Sequence, residues 1–539
     1  MRNSSLSSTW SAAAAALLFI GAGCGGQPAD PQISATGSAP EISYADYLAH
    51  HVAQEPGGSG YLVEGDIRLP DQDAVRAYWQ ETVRDTARGG ALSIRRVNGA
   101  DVTRPPPDRW NITYCVRPSD FGSDYSRLVL MLHKAASGWE RAADVRFVHK
   151  VDLDNSGCDR SNTNVLYNVE RNFSFGSGLA AGMGFPDYAR SVRYLELGQT
   201  SAWTDMQLLA VLTHELGHSL GFVHEHDTAP GCGRVTNDVA GYRQLTCYDG
   251  RGAMHYPFKP GWLDQSRQLN FISQWDVEGA QAAYGAPTNV INLANGTVFA
   301  RQRPSGNIYQ RTAAGWVQIG GPGQAFVAVG NTLYGQTPGS GSPVKYTGAG
   351  WVYIGGPAGQ IFGCLGTLCS TVPNTGDIAK YNPAAGTWTV IGGPGSRFAS
   401  SATQLFGIGP WQDDYVARYT GAGSSWVVAG SGASELFGGG TGMYQLTNVK
   451  DAIQRYNFDG SWTTIGGAGR NFVATGSNVY GLTPDRSWVM KYNGTQWNSV
   501  YGHAAGIYGT AGSLFVTNDD DTIAQYNPAT STWTNLGKP

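Results

Sequence analysis

Seven tryptophans, at positions 316, 351, 388, 426, 462, 497 and 533, recur at intervals of 35 to 38 residues through the second half of the chain. An internal period of that length constrains the fold more than any local propensity does. One such unit cannot bury both of its faces, so it must stack on copies of itself. The unit carries a phrase: Trp316 leads to Ile319-Gly320-Gly321-Pro322, Trp351 to Ile354-Gly355-Gly356-Pro357, Trp388 to Ile391-Gly392-Gly393-Pro394, and Trp462 to Ile465-Gly466-Gly467. Mid-unit runs such as Leu333-Tyr334-Gly335 and Val479-Tyr480-Gly481 read as strands, as do runs before each Trp such as Val344-Lys345-Tyr346 and Val489-Met490-Lys491-Tyr492. Stacked radially, these units make an all-β propeller over residues 287–539, with seven blades if each Trp marks one. The first unit has no Trp-Ile-Gly-Gly strand before it, and the strand at Trp533 has no unit after it. The C-terminal strand is therefore expected to complete the first blade and remove an open edge.

Composition agrees with many short strands and narrows the partners. The 539 residues include 74 Gly, 16 Trp and 27 Tyr, with 14% charged residues and a net charge of −4. That balance argues against nucleic acid as the main partner, because phosphate binding needs a basic face. No apolar run reaches the ~20 residues that span a bilayer. Residues 1–24 read as an export signal, with Arg2 as the only charge and a short apolar stretch from Ala12 to Ile20. Ile20-Gly21-Ala22-Gly23-Cys24 resembles a bacterial lipobox, which makes Cys24 a lipidation candidate; ordinary cleavage and release is the alternative. The expected location is extracellular or on the bacterial outer-membrane surface, with membrane contact only through such an anchor. Six further cysteines, Cys115, Cys158, Cys232, Cys247, Cys364 and Cys369, fit disulfides outside the cell. Six allow 15 connectivities. Pairing Cys232 with Cys247 and Cys364 with Cys369 closes short loops and leaves Cys115 with Cys158.

Residues 25–40 read as a tether, within a tether and propeptide over 25–108. Residues 109–286 form an α/β (α+β) stretch. Strands are expected at 110–116, 145–151, 165–169 and 191–197, and a helix from Tyr125 to about Trp139.

Within that stretch, His214-Glu215-Leu216-Gly217-His218-Ser219-Leu220-Gly221-Phe222-Val223-His224 carries the chemistry. Thr204-Asp205-Met206-Gln207 matches a capping box, and Leu209, Leu212, Leu216 and Leu220 follow at helical spacing. His214 and His218, four apart, leave that helix on one side, where both can approach zinc at ~2.0–2.1 Å. Glu215 is rotated about 100° from the ligand stripe and reaches a metal-bound water instead. Gly221 lets the helix stop and the chain turn, returning His224 as a third ligand. Three protein ligands and an open position are the arrangement of a catalytic zinc.

At these residues the sequence resembles the metzincin metalloproteases, and Phe222 and Glu225 resemble the astacin-like branch. Gly252-Ala253-Met254-His255-Tyr256 looks like the family's Met-turn. The resemblance implies one zinc ion, Met254 packed beneath it, and Tyr256 as a switchable ligand that stabilises the oxyanion. It also implies that Glu225 receives the mature N-terminus, that residues 273–284 form the C-terminal helix, and that the strand at 193–197 is an exposed edge to which substrate adds. Val63-Glu64-Gly65-Asp66-Ile67 resembles the astacin pro-segment motif, which implies that Asp66 blocks the metal until proteolysis removes it. Asp152-Leu153-Asp154 opens like a calcium loop, but Thr163 stands where a Glu is needed, so a turn is expected. Asp519-Asp520-Asp521 reads as a solvated turn. The chain is thus expected to be a latent, exported zinc endopeptidase acting on proteins or peptides. The Trp-x-x-Ile-Gly-Gly units of residues 287–539 resemble tectonin-type β-propeller repeats, which implies a possible glycan or cell-surface ligand, so a glycan-binding propeller in which the protease domain is secondary is the alternative.

Overall fold

The computed structural model describes residues 43–54, 60–63, 67–80, 92–173, 181–225, 241–246, 252–255, 272–287, 290–303, 305–373, 375–410, 415–447, 452–510 and 512–539. Cys24, Asp66, Cys232, Cys247 and Tyr256 lie outside these residues.

The N-terminal half is built on an eight-stranded sheet. Its order is 52–54, 61–63, 67–69, 181–183, 194–197, 167–171, 112–116 and 147–149. The strand Tyr194–Leu197 runs parallel to Tyr167–Arg171 on one side and antiparallel to Ala181–Met183 on the other. It is buried along its whole length. It is therefore not the expected exposed edge. The short, glycine-containing strand Ala181–Met183 has taken its open side, and that partner carries too little apolar pattern to be read from sequence.

Two helices lie against this sheet. Tyr125–Ala142 and Asp205–Ser219 bury Leu128, Leu132, Trp139, Leu208, Leu212 and Leu216 in one core with Leu195, Phe222 and Met254. The capping box at Thr204 and Gln207 is present, which fixes where the second helix starts. A second small sheet sets Ser93–Val97 between Phe222–Val223 and Tyr242–Gln244. Leu92 and Ile94 join the same core, so residues 92–104 pack as part of this body. Further upstream, Tyr47, Val63, Leu69, Val75 and Tyr78 form a separate cluster with Phe185 and Val223.

Among the described residues, the C-terminal half forms seven four-stranded antiparallel sheets, each made from consecutive strands. The first runs from Val290 to Pro322 and the last from Gly506 to Gly537. The first strand of each sheet neighbours the first strand of the next, and Gly506–Thr510 of the last neighbours Val290–Asn292 of the first. The sheets therefore close into a ring. The C-terminal strand Thr532–Gly537 pairs within its own sheet, with Ile523–Asn527, and does not complete the first blade. The first sheet finds its own inner strand in Val290–Asn292, three residues long and without the Trp phrase. Closure comes from side chains instead. The indole N–H of each repeat Trp donates to a carbonyl of the preceding sheet, and Trp316 donates to Leu536 O at 2.9 Å, joining first sheet to last. The indoles also explain the first glycine of the Gly-Gly phrase, since a Cβ on Gly320, Gly355, Gly392 or Gly466 would fall 2.4–2.9 Å from the next Trp Nε1, whereas one on the second glycine would meet nothing within 4 Å.

The two halves are joined by ion pairs. Glu140, near the end of the helix Tyr125–Ala142, sits between Arg470 and Arg486 of the ring, with Arg486 at 2.7 Å. Asp144 is held by Arg109, Arg301 and Arg303. Arg146 reaches Asp519 at 2.9 Å, so the acidic turn expected to be merely solvated is partly a docking group. Burial opposes ionisation of Glu140, but Arg470 and Arg486 outweigh it and bring its carboxyl down to about 2. Cys115–Cys158 and Cys364–Cys369 are disulfide-bonded, as spacing suggested. Asp154 is buried and accepts the Val116 N–H at 2.8 Å, so the calcium-like segment is a structural turn.

Candidate metal centre

The helix Asp205–Ser219 ends at Leu220, where the Gly221 N–H donates to His218 O at 2.9 Å. Gly221 has φ +90°, and a Cβ there would meet Val102 O at 1.9 Å. Only glycine makes this turn, and the turn brings Phe222, Val223 and His224 back beside the helix. The strand Ser93–Val97 supports it: Arg95 N–H donates to Gly221 O at 2.9 Å.

The turn brings three imidazoles together. One ring nitrogen from each of His214, His218 and His224 lies within 4.8 Å of the others, and all three residues are buried. His218 Nε2 and His224 Nε2 are 3.1 Å apart. His214 Nδ1 lies 2.7 Å from Ala253 O and His218 Nδ1 lies 2.8 Å from Phe222 O. A carbonyl only accepts, so each of these Nδ1 atoms carries its proton and each Nε2 presents a lone pair. Imidazole nitrogens gathered this closely in a buried space can be bridged by one cation. The donor set thus fits a zinc ion, for which neutral imidazole nitrogens are the usual ligands.

Beneath the triad, Met254 is fully buried, and its sulfur occupies the space a Cβ on Gly217 would need, at 2.2 Å. Met254 therefore packs between the helical turns that carry His214 and His218. Glu215, beside His214, is 2% exposed, and Glu225 is buried with its N–H donating to Met254 O at 3.1 Å. Phe185 stands edge-on to His218, with ring centroids 5.4 Å apart.

Residues 107–260 match the family described as dual-action HEIGH metallo-peptidases. The chain has Leu216 at the isoleucine of that name. This chain carries a metallopeptidase domain. The matched family implies zinc as cofactor and protein or peptide substrates. No curated protein matches the chain. Among solved structures, a catalytically inactive virginiamycin B lyase from Staphylococcus aureus with quinupristin aligns at 13% identity over 44% of this chain and 93% of its own, with a TM-score of 0.35. YCF48 from Cyanidioschyzon merolae aligns at 10% identity over 44% of this chain and 94% of its own, at 0.34. AztD from Citrobacter koseri aligns at 13% over 47% and 87%, at 0.33.

Sequence reasoning missed two groups at this centre. Asp276 accepts the Ala253 N–H at 2.8 Å, and Arg104 donates through Nε to Ser219 O at 3.2 Å. The capping pattern Ser273-x-x-Asp276 was a usable signal for the first. The second depends on tertiary folding and has no local signature.

Proposed function

We propose that the chain is an exported, astacin-like zinc endopeptidase made in a latent form. The observation that carries this reading is the buried convergence of His214, His218 and His224, with Glu215 on the same helix. Zinc bound by the three imidazoles would supply an acidified water and a Lewis acid for the peptide carbonyl. Glu215 takes the proton from the attacking water and returns it to the leaving amine. Tyr256, two residues after Met254, donates a hydrogen bond to the developing oxyanion. Met254 and the Ala253 carbonyl keep His214 and His218 in register for this work.

Latency is supported by where the N-terminal segment runs. Strand Ile67–Leu69, directly after Asp66, pairs with Ala181–Met183 through Ile67 and Met183. It takes the sheet edge to which an extended peptide would add. Removal of the segment frees that edge, and Asp66 blocks the metal until then. The signal-like residues 1–24, with Cys24 as a lipidation candidate, support a place outside the cell.

The test is Glu215→Gln, assayed for zinc content and peptide cleavage before and after limited proteolysis of the N-terminal segment. The expected result is about one zinc per chain and no turnover, against full turnover in the processed wild type. Retained cleavage would refute Glu215 as general base.

One observation favours a second reading, in which the ring binds glycans. A cleft of about 740 Å³ lies between the fifth and sixth sheets, lined by Tyr444, Arg455, Asn457, Phe458 and Asp459. Phe458 is 66% exposed and offers a stacking face beside polar side chains. The repeat tryptophans are partly buried between sheets, with their N–H groups bonded to the neighbouring sheet. Glycan-array binding by the full chain, lost in Phe458→Ala, would support this reading; an array silent for the wild type would remove it.

A further inference from the structure

The helix Gln274–Tyr284 touches both the ring and the metal centre. On the ring side, Gly395 N–H donates to Gln274 Oε1 at 3.0 Å, and Gln274 N–H donates to Pro410 O at 3.2 Å. Thr371 Oγ1 donates to Glu278 Oε1 at 2.8 Å, and Gln274 Nε2 donates to the same oxygen at 2.9 Å. All of these side chains are buried, with Glu278 the most exposed at 8%. The ring is carved to receive them. A Cβ on Gly359 would lie 2.2 Å from Glu278 Oε1, and one on Gly376 would lie 2.6 Å from Gln274 Nε2. Neither glycine lies in the repeated phrase after a Trp. A Cβ on Gly359 would also crowd Thr371 Oγ1 of the ring, and Gly376 has φ +72°, so both glycines serve the ring's own backbone as well as the helix.

On the metal side, one carboxylate oxygen does two jobs. Asp276 Oδ2 accepts the Ser273 N–H, closing the capping box, and the Ala253 N–H, each at 2.8 Å. Ala253 O in turn accepts from His214 Nδ1 at 2.7 Å. A chain of contacts therefore runs from Thr371 and Gly395 of the ring, through Glu278 and Gln274, to Asp276, Ala253 and His214. Each link is a buried hydrogen bond or a single turn of helix.

We propose that the ring is a working part of the metal centre, and that Gln274 and Glu278 are positioning residues through which it sets the orientation of His214. The proposal rests on the metallopeptidase reading of the triad. Direct hydrogen-bond partners of metal ligands typically change metal affinity by roughly 10–100-fold when removed. The ring contacts lie further out, so loosening them should speed metal release by about threefold or more.

The experiment follows zinc transfer from the full chain to a chromogenic chelator, and the ligand-field spectrum of the cobalt-substituted protein. Thr371→Val removes the donor to Glu278, and Thr371→Ser restores it. Because the Thr371 hydroxyl also accepts the Gln360 N–H, Gln274→Ala tests the same link from the helix side. Thr367→Val is the control: it loses a buried bond to Tyr381 O inside the same sheet, and that bond is not one of those to Gln274 or Glu278. The expected result is faster release and an altered cobalt spectrum in Thr371→Val and Gln274→Ala, with wild-type behaviour in Thr371→Ser and Thr367→Val. Equal release rates in wild type, Thr371→Val and Gln274→Ala overturn the proposal, as does an equal effect of Thr367→Val. A wild-type chain that takes up no zinc would instead overturn the metallopeptidase reading and this inference with it.

Discussion

Gly221→Ala isolates the turn that brings the third imidazole home. Two costs add. An alanine at φ +90° is held in a region that costs an L-residue roughly 1–2 kcal/mol. Its Cβ would also sit 1.9 Å from Val102 O, a backbone atom that cannot rotate aside. Relief requires the strand Ser93–Val97 and the turn to move apart, an overpacking cost of about 1–3 kcal/mol. The sum is about 2–5 kcal/mol, which at about 2–4 °C per kcal/mol for a domain of this size lowers the melting temperature by roughly 4–20 °C. The loss should fall on the metal as well, because His224 lies three residues beyond the turn. Thermal unfolding with and without added zinc, alongside equilibrium zinc titration, measures both. Gly221→Asn separates the two costs: asparagine tolerates positive φ but keeps the Cβ, so it should recover only the first part. A Gly221→Ala chain that melts and binds zinc like the wild type would refute the argument that this turn aims His224.

Two further outcomes are expected. A chain beginning at Leu92 should hold zinc and cleave peptides, whereas one beginning at Pro105 should do neither. The second loses the strand Ser93–Val97 and the Arg104 side chain that bonds Ser219 O; zinc content of the two purified chains decides. Acid should loosen the junction between the peptidase domain and the ring. His133 is pushed down to about 3 by burial, with Arg470, His149 and Arg486 adding to the effect and Asp485 opposing it. Glu140 is brought down to about 2. Both groups bind protons more readily when unfolded, so their contributions are complete at neutral pH. The His133 part is lost as pH falls from about 6.5 toward 3, and the Glu140 part below about 4.5. Melting temperatures measured from pH 7 to 3 should fall, and His133→Gln should flatten the upper part of that decline.

What could be read from sequence was what is written locally. The helix start at Thr204, the two-histidine face, the glycine stop and the repeating Trp phrase each lie within a dozen residues, and each formed as expected. Strand neighbours are different. Tyr194–Leu197 reads as an edge until Ala181–Met183 is known to lie beside it, and nothing in either segment announces the other. The docking groups are less legible still. Glu140, Asp144, Gln274 and Glu278 look like solvent-facing polar residues on or beside helices, and only the ring's arginines and missing side chains reveal that they are covered. The strand Val290–Asn292 is too short to advertise itself, and overlooking it made a shared first blade attractive.

Because the first and last sheets are each woven from their own contiguous stretch, and meet through the same indole-to-carbonyl clasp as every other pair, the hoop has no special seam. The place where the polypeptide enters and leaves it is one of seven equivalent joints. The catalytic half docks on several of the sheets, so a permuted chain with new ends at a joint away from those contacts should still close.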